Sequence, residues 1–171
     1  MNLLASIRIH SFMSQDALYL EDMYVGQKFT SATHRMEEDR IKSFAAEFDP
    51  QSFHLDEGAA QASVFRGLAA SGWHTAAVAM RLMVTGGLPF AAGTIGLGGE
   101  IEWPRPTRPG DILHVESEIV EIIPSKSKPK QGIVRVRSTT LNQNGEPVQI
   151  LTAKILAFRR GLTRTEQECP K

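Results

Sequence analysis

Ser71-Gly72-Trp73-His74-Thr75-Ala76-Ala77-Val78-Ala79-Met80-Arg81-Leu82-Met83-Val84-Thr85-Gly86-Gly87 carries one formal charge, Arg81, in 17 residues and ends on a glycine pair. Trp73, Ala76, Ala77, Met80 and Val84 fall three and four apart, which predicts a helix from Trp73 to about Thr85. Ala79, Leu82 and Met83 cover much of the remaining circumference. A helix apolar on nearly every face is one that the rest of the fold wraps. Gly86-Gly87 ends it, and Leu88 to Thr94 connects to the second half of the chain.

That second half reads as strand: Ile95–Trp103, Ile112–Ile123, Gly132–Leu141 and Val148–Arg159. Pro109-Gly110-Asp111 turns the chain between the first two, and the Asn144-Gly145 pair marks a hairpin between the last two. Alternation through Ile133, Val134, Arg135, Val136, Arg137, Ser138 and Thr139 gives one buried and one wet face. An antiparallel sheet with one apolar face needs a cover, and the Trp73–Thr85 helix is the only segment long and apolar enough. Upstream, Lys28 to Arg35 suits a first strand, and Glu37-Glu38-Asp39 open a helix carrying Ile41, Phe44, Ala45 and Phe48. A short helix capped by Asp56 is expected to run to Phe65.

The 171 residues suffice for one domain with a full core, placed at 21–160 between an N-terminal extension (1–20) and a C-terminal tail (161–171). Nineteen basic and 19 acidic side chains cancel, so no global field recruits nucleic acid or an anionic membrane. The one cysteine, Cys169, excludes a disulfide framework within the chain and a multi-cysteine zinc site, and a reducing, cytoplasmic setting is expected. Gly67 to Gly99 is nearly uncharged, but eight of the 14 glycines, with Pro89, Ser71, His74 and Thr75, argue for a buried segment and against a membrane span. No secretion signal is read at the N-terminus, where Arg8 and His10 interrupt the apolar start.

The chemistry is expected at Phe48-Asp49-Pro50-Gln51-Ser52-Phe53-His54-Leu55-Asp56, just ahead of the core helix. A carboxylate and an imidazole five positions apart across a turn are two groups of different proton affinity that a short rigid loop can aim at one water. The helix that starts at Ser71-Gly72 brings free amide N–H groups to the same region.

In this order of elements the chain resembles the MaoC-like dehydratases, the (R)-specific enoyl-CoA hydratase family. The likeness rests on Asp49 to Asp56, Ala59-Ala60, Phe65, Gly67-Leu68, Ser71-Gly72, Trp103-Pro104-Arg105-Pro106 and Arg108-Pro109-Gly110-Asp111. It implies an α+β hotdog fold, an antiparallel sheet wrapped around a long central helix. It also implies a hydro-lyase that adds water to a 2-enoyl-CoA to give an (R)-3-hydroxyacyl-CoA, working as a homodimer or higher homo-oligomer. Asp49 and His54 would be the catalytic pair, with Gly72 and Ser71 at the thioester oxygen. Asp49 is taken as the base and His54 as the water-holding partner and proton donor, the reverse assignment staying open. No metal or redox cofactor is implied, coenzyme A entering only as part of the substrate. Phe53, Trp73, Arg105, Arg108, Lys126 and Lys128 are candidate substrate contacts, with Lys130 beside them. The chain has Gln51-Ser52-Phe53-His54 where the family often has Asn-Pro-x-His, and Ser71-Gly72 where it has His-Gly, departures that bear on the acyl group.

Three rival functions use the same architecture: a dehydratase of a branched or carboxylated acyl-CoA, a thioesterase, and a non-catalytic acyl-CoA binding protein. Asp49 as a simple turn residue and His54 as a loop cap are the plain alternatives. His74 is expected to be a hydrogen-bonded core histidine. His10, His34 and His114 lack a partner motif, and Cys169 lacks activating neighbours.

Overall fold

A computed structural model describes residues 17–161. His10, Cys169, most of the expected extension and nearly all of the expected tail lie outside the described residues. From Leu18 onward the chain is tied down: its N–H donates to the Pro89 carbonyl at 2.7 Å, and Leu20, in a 3₁₀ turn at Leu20–Asp22, is buried in the core. The boundary expected at residue 20 therefore falls inside packed structure.

The first strand is broken in two, β1 (Lys28–Thr30) and β2 (His34–Arg35), both antiparallel to the next-but-one strand. Helix α1 (Glu38–Phe48) stops where Asp49, ahead of Pro50, leaves helical geometry. Two one-turn helices follow, α2 (Ser52–Leu55) and α3 (Glu57–Gln61). Asp56 caps α3 as expected, accepting the Ala59 N–H at 2.7 Å, but α3 ends well short of Phe65. The central helix α4 runs Gly72–Leu82 and unwinds through a π turn at Met83–Gly87, where Gly86 takes a φ of 147°.

Strands β3 (Ile95–Glu102), β4 (Ile112–Pro124), β5 (Gln131–Leu141) and β6 (Pro147–Phe158) match the expected runs within one or two residues. The six strands form one sheet in the order β1-β4-β5-β6-β3, with β2 also on β4 and every pairing antiparallel. Its inner face puts Leu113, Val115, Ile119, Val134, Val136 and Ile155 against Val78, Ala79 and Leu82 of α4 and Ile41 of α1. This is the hotdog arrangement, an α+β fold.

One expectation changes. The sheet covers only one side of α4, so Trp73, Met80 and Val84 on the other side stay 62%, 42% and 54% exposed. Strand β3, at the end of the sheet, is open on both faces, with Leu97 exposed beside Gly98 and Gly99.

Candidate active site

The site is built where α1 ends, α2 turns, α4 begins and the β3–β4 loop returns. Asp49 is the C-cap of α1; Pro50 forbids another helical turn, so its carboxylate leaves the helix axis. Gln51 restarts the chain as α2, and this turn, which sequence reasoning took for a loop, presents His54 inward. The imidazole is buried. Its Nδ1 lies 2.7 Å from the Ala69 carbonyl and therefore carries the proton and donates, and its Nε2 lies 3.4 Å from Asp49 Oδ2. Phe53 sits edge-on to the ring at 4.6 Å, and Phe65 flanks it.

Burial alone would raise the Asp49 carboxyl, but hydrogen bonding from the Ser71 hydroxyl and the Gln51 amide, then the nearby His54 ring, outweighs it and holds Asp49 below the ordinary carboxylate value. The Gln51 Nε2 donates to Asp49 Oδ1 at 2.7 Å. Ser71 is fully buried and also caps α4, its Oγ accepting the Trp73 N–H at 3.2 Å. Ser71 therefore stands at the start of the central helix while it favours the charge on Asp49. Gly72, the first residue of α4, has an N–H with no acceptor inside the helix, and the helix dipole adds positive potential there.

Asp49, Gln51, Phe53, His54, Gly72 and Trp73 line one cleft of about 740 Å³, together with Val64, Phe65, Thr75 and the loop from Trp103 to Arg108. Trp103 lies against the α-carbon of Gly72: a Cβ built there would sit 2.8 Å from the indole. The indole Nε1 donates to the buried Gln149 Oε1 at 3.2 Å, and Trp73 meets the ring edge-on at 5.5 Å. Thr75 Oγ1 donates to Thr107 Oγ1 at 2.9 Å, fastening the loop to α4.

The structure brings together Asp49, His54, Ser71, Gly72, Phe53, Trp73, Arg105 and Arg108. Arg105 lines the cleft half-exposed, 3.7 Å from Glu146. Arg108 also lines it, but its guanidinium is engaged with the carbonyls of Phe65, Gly67 and Leu68. Lys126 and Lys128 do not join the cleft of their own chain. They lie in the β4–β5 turn, at the opposite end of the 13-residue β4 from the Arg105–Arg108 loop, about 40 Å along the strand. His74 is buried as expected, but its Nδ1 has no hydrogen-bond partner among the described residues, and the ring instead stacks flat on Phe44 at 4.7 Å. Burial, and secondarily the charge of His34, lowers its pKa. His34 and His114 stand on β2 and β4, outside the cleft.

Sequence reasoning missed Gln51, Trp103 and the Ala69 carbonyl. Gln51, between the two members of the pair and following proline, could have been flagged as a donor; the Ala69 carbonyl left no trace in side-chain identity. Among the described residues no group of histidine, cysteine and acidic side chains could hold a metal ion, and no helix is long and apolar enough to cross a membrane.

Fold and cleft define a hotdog protein with a carboxylate and an imidazole side by side at a helix N-terminus. The sequence matches the MaoC like domain over residues 22–142, most of the chain, and the protein belongs to that family. A MaoC-like dehydratase from Rhodospirillum rubrum shares 62% identity, with a TM-score of 0.84 over 85% of this chain and 100% of that one. The R-hydratase PhaJ1 from Pseudomonas aeruginosa, in its unliganded form, shares 29% identity with a TM-score of 0.68 over 91% of this chain and 95% of that one. A Bacillus subtilis relative, called uncharacterized protein YdeM, is 34% identical over 127 residues, which span 72% of this chain and 87% of the relative. The protein is an enzyme of the hydratase/dehydratase class.

Proposed function

We propose that this enzyme reversibly hydrates a 2-enoyl-CoA to an (R)-3-hydroxyacyl-CoA, with one water held between Asp49 and His54. The observation that supports it is the separation of 3.4 Å between His54 Nε2 and Asp49 Oδ2 in a cleft that Gly72 also lines. With the proton on Nδ1 engaged by Ala69, the neutral ring offers a lone pair at Nε2, so both groups are acceptors and hold a water by its two hydrogens. The water oxygen is then left free to attack.

Bond formation between that oxygen and C3 of the enoyl group pushes the C2–C3 π pair toward the thioester carbonyl, whose growing negative charge faces the Gly72 N–H. His54 Nε2 takes one water proton and returns it to C2, so that a single water supplies both the hydroxyl and the hydrogen. A carboxyl held below its ordinary value is a weak base, which favours His54 for the proton transfer and Asp49 for orienting the water. This is the assignment that the sequence left open beside the first.

The working unit in this reading is a homodimer. The open β3 edge and the uncovered side of α4 favour a second copy of the chain, pairing edge to edge and laying its own central helix against Trp73, Met80 and Val84. Lys126 and Lys128 could serve coenzyme A phosphates only from such a neighbouring subunit.

The test is a panel of straight, branched and carboxylated enoyl-CoA thioesters followed in parallel for loss of the conjugated thioester absorbance and for release of free thiol. Absorbance loss without thiol release is the expected result. Thiol release would make the protein a thioesterase, and turnover confined to branched or carboxylated substrates would narrow the acyl group.

A further inference from the structure

We propose that Arg108 is a positioning residue for His54, clamping the 65–68 segment so that the Ala69 carbonyl fixes the tautomer and direction of the catalytic imidazole. The inference rests on the reading of Asp49 and His54 as the reacting pair, but its geometry stands apart from any substrate.

Arg108 Nη1 donates to the carbonyls of Gly67 at 2.6 Å and Leu68 at 3.1 Å, and Nη2 donates to the Phe65 carbonyl. Three carbonyls in four residues can converge on one point only if the backbone turns back on itself. Here Arg66 takes a φ of 51° and Gly67 a φ of 138°. Arg66 is the one described residue other than glycine with a positive φ, a conformation that persists when its surroundings hold it. Only a planar fork with several fixed N–H directions satisfies three such acceptors at once; the ammonium of lysine is a compact donor without that span.

The clamp is itself anchored at both ends. The Arg108 backbone N–H donates to Asp111 Oδ2 at 2.7 Å, and Gln143 Nε2 donates to Asp111 Oδ1 at 3.1 Å. Glu57 Oε2 accepts the Leu68 N–H at 3.2 Å, and the Ala70 N–H donates to the Thr107 carbonyl at 2.9 Å. Ala69 sits between these two fixed residues, and its carbonyl receives the His54 Nδ1–H at 2.7 Å. The guanidinium makes no ion pair with a carboxylate among the described residues. Its donors are turned on the backbone that aims His54, which differs from the substrate contact that the sequence suggested for it.

The experiment compares R108Q and R108K with the parent enzyme, using ¹⁵N-labelled histidine for NMR and steady-state hydration of an enoyl-CoA. A protected His54 Nδ1–H signal is expected in the parent and is expected to be lost or exchange-averaged in R108Q. Turnover should fall by on the order of tenfold to a hundredfold, as misplacement of a reacting group does, with KM held within about twofold. R108K keeps the charge without the fork and is expected to behave like R108Q; if R108Q does not fold, R108K carries the same readouts. An unchanged His54 signal, or a raised KM with kcat intact, overturns the proposal and makes Arg108 a substrate contact. Failure of the parent to hydrate any thioester would sink the functional reading alone, since the NMR comparison still decides the role of Arg108.

Discussion

His54 Nε2 faces Asp49 Oδ2 across 3.4 Å while its Nδ1 is committed to the Ala69 carbonyl at 2.7 Å. A water donating to both acceptors would sit to one side of this pair, about 2.8 Å from each, and removing either acceptor should stop the reaction. Asp49→Asn and His54→Ala are each expected to lower kcat by a factor on the order of 100 or more. The two differ in stability: Asp49 lies at the rim, whereas His54 is buried and bonded, so its loss is expected to cost about 1–3 kcal/mol. Hydration assays and urea melts on the folded variants measure both. Parent-like turnover in both variants would remove the pair from the mechanism.

The Asp49 carboxyl is held low against its own burial by Ser71 and Gln51. A depressed pKa means the carboxylate persists to lower pH than in an unfolded chain, and the stability that this confers is lost only as pH falls through the native value. Gln51→Ala and Ser71→Ala each delete a donor, so the Asp49 titration should move upward in both. Carboxyl ¹³C NMR titration reads this directly, and an unmoved midpoint in both variants would contradict the assignment of the cause.

The product should be the (R)-3-hydroxyacyl-CoA. PhaJ1 is an R-hydratase by name, and it shares this fold over 91% of the chain at 29% identity. Coupling the reaction separately to dehydrogenases specific for each enantiomer decides the point. Exclusive (S) product would count against the proposed placement of water and thioester.

Gly72 is required by what lies on it. A methyl group there would meet the Trp103 ring at 2.8–3.1 Å, and that ring is pinned by Gln149 and Trp73 rather than free to swing away. Gly72→Ala is expected to destabilise the fold by about 1–3 kcal/mol and to impair turnover, because the donor at the helix start shifts with it. The stability loss should shrink when Trp103 is first trimmed to leucine, so that a double-mutant cycle shows coupling. Equal losses in both backgrounds would place the strain elsewhere.

Much of this was legible in the sequence because it rests on periodicity and turn chemistry. The four long strands, α1 and α4 follow from apolar spacing, and the Asp49–His54 pair from a carboxylate and an imidazole five positions apart across a turn. Other features depend on tertiary geometry that no local pattern encodes. The one-turn helix that turns His54 inward is too short to show a period. Arg108 reads as a free cation until its three carbonyl partners are seen. The helix that looked apolar all round proved covered on one side only, since periodicity reports which residues are apolar but not what packs on them.

Trp73, Met80 and Val84 form one exposed stripe, and β3, paired only with β6, leaves its outer edge open. A dimer that seals both would bury the stripe and close the cleft rim, which links assembly to activity. Val84→Glu, remote from Asp49 and outside the cleft, would place a charge in that interface. The parent is expected to sediment as a dimer or larger at assay concentration, and Val84→Glu to sediment as a monomer with native circular dichroism and at least about tenfold lower turnover. A parent enzyme that is a fully active monomer would refute the shared interface while leaving Asp49 and His54 in place.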